Sequence, residues 1–186
     1  MRRYRLIDLS IFALLLLALE FASYRALGAN PGEVYHFSVV LPITLLIMIR
    51  WDWFGLIHAA LGGAFYCILY GDTAAHYFIY IAGNLFIGLS LLWARRVGIK
   101  KVRESVTYCV LYCISGYLAM CLGRSTVSLI AKQGFPAVRF LAVEALGAVV
   151  AVIVILIARR QKGMFEPQKE YLVRVSKEEE ERKHGV

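Results

Sequence analysis

Charge is scarce in this chain, and signatures of catalysis are missing. Asp, Glu, Lys and Arg make up 18% of the 186 residues, against 60% hydrophobic. No GxxxxGK[ST] loop occurs, which excludes ATP hydrolysis by that route. HExxH and GxSxG are also missing, so neither the zinc-protease helix nor the serine nucleophile elbow is available. The acids and histidines are scattered, whereas a membrane enzyme would gather them near one face. The four cysteines, Cys67, Cys109, Cys113 and Cys121, all fall in apolar runs. Cys109 and Cys113 are one turn apart, but no histidine or acid completes a metal set. They read as reduced, small apolar residues, and no cofactor or metal is expected. The apolar residues form continuous blocks instead of alternating with polar ones, which argues against an outer-membrane barrel.

These blocks approach the ~20 residues that cross a bilayer, and the mean hydropathy is +0.64. They predict an all-α integral membrane protein with six transmembrane helices and both termini cytoplasmic. Residues 1–163 form the membrane domain and residues 164–186 a polar cytoplasmic tail, partly helical or disordered. The net charge of +8 does not point to nucleic acid, because most of the basic residues sit at helix ends. The arginines at positions 2, 3 and 5 precede an apolar run that imitates a signal peptide. Without a clear cleavage site, the run reads as a retained first helix.

The predicted spans are Ile7–Ala26, His36–Ile49, Phe54–Tyr70, Ala75–Trp93, Ser105–Leu122 and Pro136–Arg159. The segment Gly123–Gly134 reads as a longer loop. Pro42 makes the short second helix a candidate for a kink or tilt, and Arg50-Trp51-Asp52-Trp53 reads as an interfacial turn. With six spans, the N-terminal arginines, Arg50, the cluster Arg95–Arg103 and Arg159-Arg160-Lys162 fall on one side, which the positive-inside rule makes cytoplasmic. The opposite loops carry Arg25, Arg124, Lys132 and Arg139.

Polar residues inside spans are costly in lipid, so they should face other helices or a cavity. His76, Tyr77, Tyr80 and Asn84 cluster on one side of the fourth helix. His76 and Tyr77 also suit an interfacial belt, whereas Asn84 is deep enough to need a partner. Glu20 and Tyr24 share a face of the first helix. Ala18 and Ala22, with Ala26, form a small-residue stripe on roughly the opposite face, which suits close approach of another helix. Tyr117, Met120 and Arg124 share a face of the fifth helix as it reaches the outer surface, and Arg139 and Glu144 lie in the outer half of the sixth. An Arg–Glu pair between helices is the structural reading of such charges. As a binding reading, these groups form an outer site for a small molecule. The excess of outer basic residues favours an anionic solute, and the aromatics a ring-containing one. His58 aligns with Gly62, Tyr66 and Tyr70, and lies toward the cytoplasmic side.

Several stretches carry a resemblance: Ala18-Leu19-Glu20-Phe21-Ala22, the Gly/Pro-containing first outer loop, Leu41-Pro42-Ile43, and Arg50-Trp51 before a glycine-containing third helix. With six helices in this length, the chain resembles the S components, the substrate-binding membrane subunits, of energy-coupling factor vitamin transporters. The resemblance covers most of Leu6 to Arg160. It implies capture of a vitamin-like solute near the outer face, under a lid at Gly28–His36 that includes Tyr35 and His36. The pocket walls would come from the fourth, fifth and sixth helices. It also implies docking through the AxxxA motif, here Ala18 and Ala22, onto a transmembrane scaffold subunit driven by two ATPase subunits in a prokaryotic cell membrane. Two other classes fit size and helix count: a rod-shape-determining MreD-type membrane scaffold, and a small membrane enzyme acting on lipids through Glu20, Glu144 or His76.

Overall fold

The computed structural model describes residues 2–27, 38–161 and 163–184. These fold as helices joined by short turns, with no strand among them. The helices are α1 (Arg2–Leu27), α2 (Val40–Trp51), α3 (Gly55–Tyr70), α4 (Ala74–Asn84), α5 (Gly88–Val97), α6 (Ile99–Glu104), α7 (Val106–Ile130), α8 (Ala137–Arg160) and α9 (Gln168–His184). The expected lid Gly28–His36, including Tyr35 and His36, lies outside the described residues.

Five stretches are long and apolar enough to cross a membrane: Arg3–Ala26, Val40–Tyr70, Ala74–Val97, Val106–Ile130 and Ala137–Arg160. Their outward faces are apolar. Leu14 on α1 is 68% exposed and Ile157 on α8 is 56% exposed. Such surfaces, repeated around a helical bundle, belong in lipid rather than water.

The stretch Val40–Tyr70 is bent back on itself. Asp52, with φ 63° and ψ −136°, closes α2, and the chain turns through Asp52–Phe54 into α3. A Cβ added at Gly55 would lie 2.9 Å from the Thr44 carbonyl oxygen, so the absence of a side chain lets α3 lie against α2. Every residue of α2 from Val40 to Ile49 is buried. This short helix, about 18 Å long at ~1.5 Å per residue, is therefore the axis of the bundle. It packs against α1, α3, α7 and α8. Apolar residues on all sides of a helix suit that central position.

Of the next two helices, one keeps its expected course and one does not. The fourth predicted helix is continuous from α4 to α5 through a tighter turn at Leu85–Ile87. The fifth does not end at Leu122: α7 runs to Ile130 and takes in most of the expected loop. Its hydroxyls bond within the helix, Ser125 Oγ to Cys121 O and Thr126 Oγ1 to Leu122 O, both at 2.8 Å. Polar residues that satisfy themselves this way can continue a buried helix. As a result Arg124 lies inside the bundle rather than at its surface.

Several of the basic residues meet at one end. Arg50 bonds Asp8 on α1, at 2.9 Å, and the Gly163 carbonyl, at 2.6 Å. Arg95 pairs with Asp52, and Arg159 donates to the Arg103 carbonyl at 2.6 Å. Arg103 bonds Glu166 at 2.9 Å. The tail is anchored at its root, where Phe165, Glu166 and Gln168 are buried. We refer to this as the basic end.

Candidate functional site

Five rings cross the opposite end. Tyr24 of α1 meets Tyr70 of α3 edge to face, with centroids 5.0 Å apart. Tyr70 leans on Tyr66, one turn earlier, at 4.6 Å. Tyr66 stacks on Tyr80 of α4 at 4.5 Å, with 25° between the planes. Tyr80 then meets Phe140 of α8 edge to face at 6.1 Å. The stack depends on Gly63: a Cβ there would lie 2.7 Å from the Tyr80 carbonyl oxygen, so only glycine lets α3 and α4 approach this closely. All five rings are half-buried, unlike the fully buried core ring of Tyr112.

Beneath the rings is a closed ionic floor. Arg124, only 2% exposed, donates from Nε to Asn84 Oδ1 at 2.8 Å and from Nη1 to Glu144 Oε1. Its Nη2 faces Met120 Sδ at 3.7 Å, and its guanidinium sits 4.5 Å from the Tyr80 ring centroid. Asn84 uses its amide N–H to reach the Ala59 carbonyl at 3.0 Å, tying α3, α4 and α7 together. Gly83 makes this register possible, because a Cβ there would come 2.6 Å from Arg124 Cα.

The second buried acid has a different task. Glu20 Oε1 accepts from Ser38 Oγ at 2.7 Å and from the Val39 N–H at 2.6 Å. Val39 immediately precedes α2, whose first amides have no partner within the helix. A carboxylate at that point satisfies a donor and faces the positive end of the helix dipole. Within lipid, where water is absent, an unsatisfied amide would cost several kcal/mol. Gly147 of α8 borders the same place: its Cβ would lie 3.2 Å from the Ser38 carbonyl oxygen and 3.5 Å from Glu144 Oε2.

The structure thus brings Tyr24, Tyr80, Asn84, Arg124, Glu144 and Glu20 to one end. Tyr117 joins at its margin, its hydroxyl donating to the Leu141 carbonyl. His76 is half-exposed and lies 2.8 Å from Asp72 in the turn before α4. Tyr77, half-buried, follows it. Arg139 is exposed, as are Arg25 and Lys132, so these three cations do not enter the buried cluster. The interhelical ion pair uses Arg124. Ala18 and Ala22 are exposed on α1, while Glu20 between them is buried. His58 lies in the basic half, where its Nε2 donates to the Leu9 carbonyl at 2.9 Å.

Ser38, Tyr66, Tyr70 and Phe140 were not legible as site residues. Tyr66 and Tyr70 had the i, i+4 spacing of a face, but the alignment with His58 drew that face toward the other end of the helix. Among the described residues, no three His, Cys, Asp or Glu side chains converge as a metal site. No protein-family model matches this chain, and no curated protein or solved structure matches it either.

Proposed function

We propose that this chain is the solute-binding membrane subunit of an importer, similar in role to the S components of energy-coupling factor transporters. The observation that carries this reading is the row of half-buried tyrosines laid over a closed ionic floor. Core rings would be fully buried, and belt rings would point into the headgroups. A row that runs across α1, α3, α4 and α8, with every ring partly open, supports instead an aromatic-lined surface for something held between the helices. The floor fixes the rings: Arg124 holds Tyr80 and Asn84 holds α3 against α4. A planar solute of vitamin type fits such a surface.

The remaining features follow from that reading. The basic end faces the cytoplasm by the positive-inside rule. The chain crosses a prokaryotic cell membrane six times, with α2 as the short central crossing and both termini cytoplasmic. The tyrosine end then faces outward. The exposed Ala18 and Ala22 dock on a scaffold subunit, and two partner ATPases supply the energy. Native mass spectrometry of the detergent-purified protein tests this: a small ring-containing molecule should be carried through, and Tyr66→Leu should lose it. A second reading, a membrane scaffold with no solute, is favoured by the way Arg124, Asn84 and Glu144 satisfy one another. An empty protein that retains cell-shape proteins would select it.

A further inference from the structure

We propose that a cleft at the basic end binds the phosphate of an anionic phospholipid headgroup. The cleft, of about 590 Å³, opens between α6, the end of α8, the chain at 163–167 and the start of α9. Five cationic and three carboxylate side chains line it, so its net charge is positive. Two of the three acids are already engaged. Glu166, whose side chain is 6% exposed, accepts from Arg103 at 2.9 Å and from Arg174 at 2.7 Å. Glu170 takes the other Nη of Arg103 at 2.8 Å. These contacts brace two guanidiniums in fixed positions on the wall. Arg159 closes the end of α6 by donating to the Arg103 and Glu104 carbonyls.

Two cations remain at the mouth. The Lys100 side chain is 82% exposed and lies 3.9 Å from Glu104, a distance and exposure at which the pairing is weak. Arg160 is exposed and has no carboxylate partner among the described residues. From Arg160 an apolar stripe climbs the outer face of α8. Leu146, Val149, Ile153 and Ile157, all 44–56% exposed, follow at steps of three and four, which is one face of a helix. A molecule with an anionic head and an apolar chain satisfies both features at once, with phosphate at Arg160 and Lys100 and acyl chain along the stripe. A soluble phosphate would use only the first. Basic pockets at the ends of membrane helices recognise headgroups by this chemistry.

The test uses the full chain, purified in detergent and stripped of lipid, with phosphatidylglycerol, phosphatidylcholine and inorganic phosphate as probes. Native mass spectrometry reads binding, and the melting temperature reads protection. Phosphatidylglycerol should bind on the order of tenfold more tightly than phosphatidylcholine, with the preference falling at high salt. The double variant Lys100→Gln/Arg160→Gln, both at exposed positions, should keep the wild-type melting temperature without lipid and lose most of that preference. Equal binding of the two lipids, or an unchanged preference in the double variant, overturns the proposal. Inorganic phosphate that protects as well as phosphatidylglycerol makes the cleft a soluble-phosphate site and overturns the lipid assignment.

Discussion

The two ends of the bundle use the same chemical pair, arginine with carboxylate, in opposite settings. At the tyrosine end, Arg124 and Glu144 have side chains 3% exposed each, enclosed by three helices. At the basic end, exposure is 10% and 23% for Arg50 and Asp8, and 41% and 49% for Arg95 and Asp52. A rim pair that breaks is rehydrated, so it contributes little. The enclosed pair has no such escape, and losing one partner strands a charge in a low-dielectric interior. The tyrosine end therefore cannot lose one member of its pair without leaving the other buried and uncompensated. The basic end is held by many contacts, each replaceable.

The sharpest way to break this contrast is Arg124→Met, which takes away the partner of the Glu144 carboxylate and of Asn84 Oδ1, while the Asn84 amide N–H keeps the Ala59 carbonyl. We expect a loss of about 3–5 kcal/mol, read by reversible unfolding in mixed micelles. Adding Glu144→Met should recover most of it, because two apolar groups of similar volume replace the pair. If the single variant is as stable as wild type, the two ends do not differ as described.

Gly83→Val comes next, since its side chain would meet the backbone of α7 at Arg124. Overpacking of this kind costs about 1–3 kcal/mol, and the same unfolding measurement reports it. Asp8→Asn at the basic end should cost less, about 1 kcal/mol, even though Asp8 accepts from both Arg50 and Trp51. A loss equal to that of Arg124→Met would erase the contrast. The smallest stability effect belongs to Ala18→Leu with Ala22→Leu. Both positions are exposed, so the change should stay within about 0.5 kcal/mol. Under the proposed function the same variant keeps its solute and loses its scaffold partner, which co-purification would read.

Much of the bundle was legible in the sequence. The apolar blocks gave the helices, and the clustering of arginines at their ends gave one basic end. Asn84 was marked by its depth as a residue that must bond something. What was misread depended on neighbours. Gly123–Gly134 is polar enough to look like a loop, which would put Arg124 at the surface. Ser125 and Thr126 bond their own helix, and that choice cannot be read from residue type. Outer cations suggested an anionic solute, yet Arg25, Lys132 and Arg139 are exposed and Arg124 is taken by Glu144.

By itself, then, the sequence determined a helical membrane protein with a basic end, because hydrophobic run length and terminal charge are local properties that the bilayer reads directly. The tertiary structure alone decided that α2 is the buried axis, that Glu20 caps it, and that four tyrosines from three helices form one row. These are contacts between residues distant in the chain, fixed by close approach at Gly55, Gly63 and Gly83, and nothing in the local sequence says which face meets which.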